Sequence, residues 1–312
     1  MKSVSIVIPT KNGGAIFEEV LWGIKGQRFE GEVELLVVDS GSTDGTVKKA
    51  GEYGSRILEI PPGEFNHGTT RNYGIKNSKG DFIVLMTQDA VPADEWWLKN
   101  LVDTFDNDER IAGVYARQIP RQDADALTKR NLNGWLTGRS VYSVQEIKDR
   151  EGFEKMPPME KYLTCVFDNV CSAVRRKAWK EVPFNYNDFG EDIEWAKRAL
   201  LSGWKIAYQP KAAVVHSHNR SVVYEYGRTY MCHRKLYELF NLQTVPSRAG
   251  LLRNMFFGSI SELKYVLRNE RGITKKVGLS LKVPLLVSAS LFGQYRGAKD
   301  EKLSAGVKKK GV

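Results

Sequence analysis

Acidic side chains at the ends of apolar runs are the chemically informative feature of this 312-residue chain. Asp89 follows Phe82-Ile83-Val84-Leu85-Met86 after only Thr87 and Gln88, and Asp39 closes Glu34-Leu35-Leu36-Val37-Val38. Glu191-Asp192 precedes a helical pattern, and His216 and His218 follow the short apolar run Ala212-Ala213-Val214-Val215. Continuous apolar runs of this length suit strands buried on both faces, and open α/β sheets bind ligands beyond the carboxyl ends of such strands. A carboxylate and an imidazole that leave positions for water and phosphate oxygens suit Mg²⁺ or Mn²⁺ held together with a diphosphate. His216 and His218, at alternate positions, point to the same side of an extended segment. Each residue also has a plainer reading. Asp44 before Gly45 is ordinary turn and cap chemistry, the dipole of a helix N-terminus attracts Glu191-Asp192, and a single His is more often structural than a ligand. For Asp39 and Asp89 a functional reading outweighs the structural one, because both end apolar strands on the ligand-binding side and a buried sheet edge does not need so many carboxylates for stability.

The elements that must position these residues alternate. Val4–Thr10 reads as a strand stopped by Pro9, Lys11-Asn12-Gly13-Gly14 as a turn, and Phe17–Ile24 as the start of a helix. Glu34–Asp39 is a second strand, with Ser42 or Asp44 placed to cap the next helix, and Arg56–Ile60 a third, ended by Pro61-Pro62-Gly63. The loop Phe65–Asn72 leads into a helix before the Asp89 strand. Asp94–Leu98 starts another helix, and Ile111–Tyr115 is a strand. Such alternation predicts βαβ units and a mostly parallel sheet with right-handed crossovers. From about Pro120 to Pro158 periodicity fades, which reads as a long surface excursion of the kind that forms substrate loops. Order returns at Val170–Val174. A helix after Glu191-Asp192 carries Ile193, Trp195, Ala196, Ala199 and Leu200 on one face, and Lys205–Tyr208 and Ala212–Val215 are short strands.

Composition narrows the class. The hydrophobic fraction of 42% and charged fraction of 27% are ordinary for a globular chain. No run reaches the ~18 consecutive apolar residues of a spanning helix, and Val283–Phe292 suits a buried or interfacial one. No signal-peptide pattern opens the sequence, and Cys165, Cys171 and Cys232 form no CxxC, so a cytoplasmic location is expected. Residues 221–312 hold 17 Lys+Arg against 6 Asp+Glu, a net of +11, and the first 220 residues net −1, giving the overall +10. The basic character belongs to the C-terminal third, which reads as helices with a disordered tail ending Lys308-Lys309-Lys310. Neither GxGxxG nor GxxxxGK[ST] occurs where it would mark a dinucleotide or P-loop site.

Ser5–Thr10, Val38–Thr46, Arg71-Asn72, Asp89, Glu191-Asp192 and His216 recur in the order of the family 2 inverting glycosyltransferases, and the chain resembles that family over about residues 3–220. Phe65–Asn72 together with Thr87-Gln88-Asp89-Ala90 most resembles the bacterial rhamnosyltransferases that extend cell-surface polysaccharides, such as O-antigen, from dTDP-L-rhamnose. The resemblance implies a GT-A type α/β fold: residues 1–220 form the transferase domain, with a Rossmann-like nucleotide-binding half at about 1–118 and an acceptor half at 119–220. Residues 221–312 form a basic helical extension. It implies that Pro9, Thr10, Lys11 and Asp39 cradle the nucleoside, that Arg71 helps hold the nucleotide, that Gln88 and Asp89 lie at the donor, and that His67 touches the donor sugar. The family's metal motif is commonly Asp-x-Asp. Thr87 takes its first position, so Asp89 is the carboxylate carried over and His216, matching the His after the family's last core strand, is the second ligand, with His218 as backup. Asp192 is by resemblance the general base and Glu191 orients acceptor or loop.

The expected partners are a nucleotide-sugar, a saccharide acceptor that is lipid-linked, and no nucleic acid, since the basic tail carries no nucleic-acid motif. The basic, aromatic helices either dock on the anionic inner face of the cytoplasmic membrane or pack as a structural extension or a contact between copies. Two rivals stand beside this reading: the same fold moving a hexose or N-acetylhexosamine from a UDP-sugar, and a non-catalytic sugar-nucleotide-binding module. Intact Asp89 and Glu191-Asp192 count against the second.

Overall fold

Buried, strand-forming runs do assemble into one sheet in the computed structural model of the chain, which describes residues 1–310, the backbone alone for 305–310. In chain order the elements are β1 (Lys2–Thr10), α1 (Gly14–Lys25), β2 (Gly31–Asp39), α2 (Thr46–Glu52), β3 (Arg56–Glu59), α3 (His67–Lys76), β4 (Phe82–Met86), β5 (Val91–Pro92), α4 (Trp97–Asp103) and β6 (Ile111–Ile119). Then follow α5 (Ala126–Asn133), β7 (Ser143–Gln145), α6 (Arg150–Lys155), α7 (Pro158–Thr164), β8 (Cys171–Arg175), α8 (Arg176–Glu181), α9 (Glu191–Leu201), β9 (Lys205–Val215), α10 (Val222–Phe240), α11 (Arg248–Asn269) and α12 (Ile273–Lys310). The chain forms two compact units, residues 1–121, 132–153 and 164–217 in the first, and 122–131, 154–163 and 218–312 in the second.

The first unit holds the sheet, in the order β3-β2-β1-β4-β8-β6-β9-β5, with β7 also paired to β9. All five residues of β4 are buried, as a strand covered on both faces requires. Phe17, Val20, Leu21 and Ile24 of α1, at helical spacing, are buried with β1, β4 and α4 residues in one core. Each such side chain contributes about 1.5–3 kcal/mol by leaving water. From β3 to β4 the pairings are parallel, as expected. β8 then enters antiparallel to both β4 and β6, and β9 runs parallel to β6. This insertion is what gathers the site. An antiparallel strand begins where its neighbours end, so the segment entering β8 meets the carboxyl ends of β4, β6 and β9 at one edge. Thr87 N donates to the Val170 carbonyl at 3.0 Å across that junction.

Several local expectations are revised. β1 continues through Pro9 to Thr10, and α4 begins at Trp97, not Asp94. The two short strands expected over 205–215 are one strand, β9, whose shift in register against β6 between Ala116 and Arg117 absorbs Pro210. The excursion from Pro120 to Pro158 contains α5, α6 and β7. These elements are short and bury few apolar residues, Leu127 and Phe153 among them, so no period could emerge. Gly45, in the left-handed region, is the N-cap of α2, so neither Ser42 nor Asp44 caps that helix.

The second unit is dominated by α10, α11 and α12. Ser221 and Ser247 cap α10 and α11, accepting from Tyr224 N and Gly250 N at 3.2 and 3.0 Å. Gly293 and Gly297, four apart on α12, let it lie on the α10 backbone, since a Cβ at either would come within 2.2 Å of Thr229 Oγ1 or the Tyr230 carbonyl. Residues Ile273–Ser304 of α12 are long and apolar enough, by length and composition, to cross a membrane. Counting uninterrupted apolar residues missed this because Lys282 breaks the run. The expected disordered tail is described as helix backbone to Lys310, and Gly311 and Val312 lie outside the described residues.

Candidate active site

Three strand tips interlock at the carboxyl edge of the first unit. Asn12, at the end of β1, has φ +49°, and its side chain accepts from Thr43 N at 2.8 Å while its own N–H donates to Ser42 Oγ at 2.8 Å. Asp39 is buried and accepts from Gly41 N, Ser42 N and Thr10 Oγ1 at 2.9, 2.8 and 3.1 Å. Gln88 clamps the first tip to the β4 tip with both ends of its amide, accepting from Lys11 N at 2.8 Å and donating to the Lys11 carbonyl at 3.1 Å. Asp44 accepts from Gly14 N and Thr46 N at 3.0 and 3.1 Å, turn chemistry as its plainer reading has it. Pro9, Thr10, Lys11, Asp39 and Gln88 therefore lie together, bound to one another mainly by neutral and backbone groups.

A second cluster sits under α9. Arg71, on α3, is 3% exposed and pairs with Glu191 at 2.9 Å. Its guanidinium also donates to the carbonyls of His67 and Asn169 at 3.1 and 3.4 Å. Arg71, expected to help hold the nucleotide, has Glu191 as its charged partner here. Asn169 joins both carboxylates, its side-chain amide donating to Glu191 at 3.1 Å and its backbone N–H to Asp192 at 3.2 Å. Burial pulls Glu191 upward, but Arg71, His67 and the Asn169 amide outweigh it, and its carboxyl lies below the usual carboxylate range. Asp192 goes the other way. Burial, then the charges of Glu191 and Asp168, push it up to about 8 against the amides of Ile193 and Asn169. Adjacent residues are thus split into a held anion and a carboxyl whose proton leaves only near pH 8. His67 is held below its ordinary value mainly by burial, with Arg71 adding to the effect, and Phe65 meets its ring edge-on at 4.9 Å. Trp195 is fully buried beside Phe167 and Phe184, a packing role.

The loop leading to Glu191 is fixed to α3. Asn66 Nδ2 donates to the Asn187 carbonyl and Asn72 Nδ2 to the Phe184 carbonyl, each at 2.7 Å. Gly68 is required beneath it, since a Cβ there would stand 1.9 Å from the Asn185 carbonyl oxygen.

Asp89 and His216 face each other, carboxylate Oδ2 to imidazole Nε2 at 3.6 Å, both largely sheltered. His216 Nδ1 is engaged by Gln118 Oε1 at 3.1 Å, and Arg121 donates to the Asp89 carbonyl at 2.8 Å. Asp89 Oδ2 and the imidazole Nε2 of His216 form a donor set that Mg²⁺ or Mn²⁺ accepts. Bonds of about 2.1 Å at right angles bring two ligands about 3 Å apart, so the pair fits after a small approach. His218, two residues along, belongs to the same group of candidate ligands, the one such group among the described residues. Thr87, in the first position of the reduced motif, has a buried hydroxyl without a hydrogen-bond partner. Sequence reasoning missed Gln118, Arg121, Asp168 and Asn169. The signal available was a polar pair, Asp168-Asn169, directly before an apolar strand, which also reads as an ordinary turn.

Residues 5–182 match glycosyl transferase family 2. The chain is 34% identical to the O-antigen chain rhamnosyltransferase RfbN of Salmonella typhimurium over 231 residues, 73% of this chain and 70% of that protein. It is 33% identical to the O-antigen chain rhamnosyltransferase WbaN of Salmonella anatum over 236 residues, 74% and 71% of the two chains. Among solved structures it is similar in fold to the mannosyltransferase PcManGT of Pyrobaculum calidifontis in complex with GDP-Man and Mn²⁺, with a TM-score of 0.61, 16% identity, and 96% and 87% of the chains covered. Glucosyl-3-phosphoglycerate synthase of Mycobacterium tuberculosis in complex with UDP gives a TM-score of 0.53 and 21% identity over 79% and 82%. These likenesses establish the GT-A fold expected from the sequence.

Proposed function

We propose, on the premise that this chain belongs to glycosyl transferase family 2, that it transfers L-rhamnose from dTDP-L-rhamnose, with inversion, to a saccharide hydroxyl in bacterial cell-surface polysaccharide synthesis. The donor assignment is supported by the two Salmonella relatives, which are named as O-antigen chain rhamnosyltransferases. The observation that carries the mechanism is the split between Glu191 and Asp192. Inverting transfer is one displacement at the anomeric carbon, in which the acceptor oxygen forms its bond as the bond to the nucleoside diphosphate breaks. The acceptor proton must leave at the same time, and Asp192, raised to about 8, is the carboxylate that accepts it. Glu191, held ionised by Arg71, keeps Asp192 raised and fixes the start of α9; on this reading Arg71 acts through Glu191.

Pro9, Thr10, Lys11, Asp39 and Gln88 form the nucleoside side, and His67, kept neutral by burial, reaches the donor sugar. A divalent ion held by Asp89 and His216, with His218 as the further candidate, would supply positive charge opposite the departing diphosphate. A thermal-shift screen of nucleotide-sugars with Mg²⁺ or Mn²⁺ tests the reading. The largest stabilisation is expected from dTDP-L-rhamnose, and a larger one from a UDP-hexose or UDP-N-acetylhexosamine overturns the donor assignment.

The second unit we place on the inner face of the cytoplasmic membrane, close to a lipid-linked acceptor. Leu252, Phe256 and Ile260 on α11, and Ile273, Val277, Leu281 and Leu285 on α12, recur every four residues and are exposed, among basic residues such as Arg253, Lys264, Arg268 and Lys275. The full chain should float with anionic vesicles and not with zwitterionic ones, and Leu281→Glu should reduce flotation. Self-association lost in that variant, without flotation, would assign this face to contact between copies.

A further inference from the structure

Asp168 is a buried carboxylate that the transfer itself does not use, and it stands at one end of a continuous hydrogen-bonded line. Its Oδ1 accepts from Val170 N at 2.8 Å and its Oδ2 from Gln118 Nε2 at 2.7 Å. Gln118, 7% exposed near the end of β6, meets His216 Nδ1 with its Oε1 at 3.1 Å, and His216 Nε2 faces Asp89. An amide that gives its N–H to a carboxylate presents its oxygen on the other side, and that oxygen only accepts. Nδ1 of His216 therefore carries the hydrogen, and the lone pair of Nε2 is turned toward Asp89. The backbone closes the arrangement, with His216 N donating to the Ile119 carbonyl at 2.9 Å and Arg121 N to Ser217 Oγ at 3.0 Å. The next residue after Asp168 is Asn169, whose N–H holds Asp192. One dipeptide thus reaches the Asp89–His216 pair with its first side chain and the base with its second amide.

We propose that Gln118 and Asp168 are positioning residues that hold His216 in the tautomer and orientation needed to ligate a divalent cation beside Asp89, and that register this pair against Asp192. The inference rests on the assignment of Asp89 and His216 as metal ligands. Partners of this kind set the orientation and basicity of a ligating imidazole, and their loss typically weakens metal binding about 10–100-fold.

The test is Mn²⁺ affinity of the full chain, read without donor or acceptor by the electron paramagnetic resonance signal of free Mn²⁺, with a thermal melt of each variant. Gln118→Leu should weaken binding about 10–100-fold, and His216→Ala at least as much. In the His216→Ala background, Gln118→Leu should cost nothing further, because its effect passes through the imidazole. The paired exchange Gln118→Glu with Asp168→Asn keeps both shapes and swaps the roles, with the carboxylate then accepting from Nδ1 and the amide donating to it. It should hold affinity within about twofold of wild type. Unchanged affinity in Gln118→Leu, or a full further loss in the His216→Ala background, overturns the proposal. Should Gln118→Leu fail to fold, the exchange decides, and a large loss of affinity with a native melt overturns it. Unchanged affinity in His216→Ala alone overturns the metal assignment instead, and is seen separately.

Discussion

The interlocked strand tips and the carboxylate cluster under α9 occupy the same unit but are built on opposite principles. At the tips, many bonds to neutral and backbone groups share the load: Asn12 with Ser42 and Thr43, Asp39 with its own turn, Gln88 with Lys11. In the cluster, a few buried charges in low dielectric carry it, and each depends on its charged or amide partner, as Arg71 does on Glu191. The difference teaches where damage spreads. Losing one tip bond leaves the others, whereas losing one member of the cluster strands a buried charge and changes the proton affinity of its neighbour.

The comparison breaks first, if it is wrong, at Asp192. Asp192→Asn should lower turnover by about 10²–10⁴-fold or more while nucleotide binding by calorimetry is retained; transfer near the wild-type rate would remove the base from the scheme. In the wild type, kcat/KM should rise with pH as Asp192 loses its proton around 8. The same shift has a stability sign. A carboxyl raised in the folded state above an unfolded value of about 3.9 favours the native state while it stays protonated. Its contribution therefore weakens as pH climbs from that value toward 8. Asp192→Asn should flatten this decline in urea unfolding series, and an unchanged slope would contradict the raised value.

Next in size, Arg71→Met should cost about 3–5 kcal/mol of stability by leaving Glu191 buried and unpaired, read as a lowered urea midpoint. A loss under about 1 kcal/mol would place the pair among exposed bridges. Gln88→Ala, at the tips, should weaken nucleotide binding about tenfold with the melting temperature little moved, two modest hydrogen bonds being lost. Asp44→Ala, which removes turn hydrogen bonds at an exposed side chain, should be the mildest, with the melting temperature barely moved and transfer intact. Equal damage from the tip and cluster substitutions would erase the distinction.

The same contrast explains what the sequence could show. Asp39, Asp89 and Glu191-Asp192 were legible because each ends or begins an element whose pattern is local. The pairing of Arg71 with Glu191 was not, because it spans 120 positions and is made by folding. Gln118 and Asp168 were invisible for the same reason. Periodicity also marks a strand without giving its direction, so the antiparallel entry of β8 could not be read from Val170–Val174. The exposed stripes of α11 and α12 were written in the sequence as mixed apolar and basic residues, but their sorting onto one face appears only in the helix.

Gly68 carries a consequence for how the enzyme can evolve. Its missing side chain is occupied by the Asn185 carbonyl, so the loop that ends at Glu191 rests on the first turn of α3 with no spare space. Any methyl introduced there must displace the loop, and with it the approach to Glu191 and Asp192, while leaving the tips of β1, β2 and β4 alone. Tyr186, one residue on from Asn185, keeps its ring exposed, while Gly68, the second residue of the helix that Asn66 caps, leaves the backbone above it no room to settle closer.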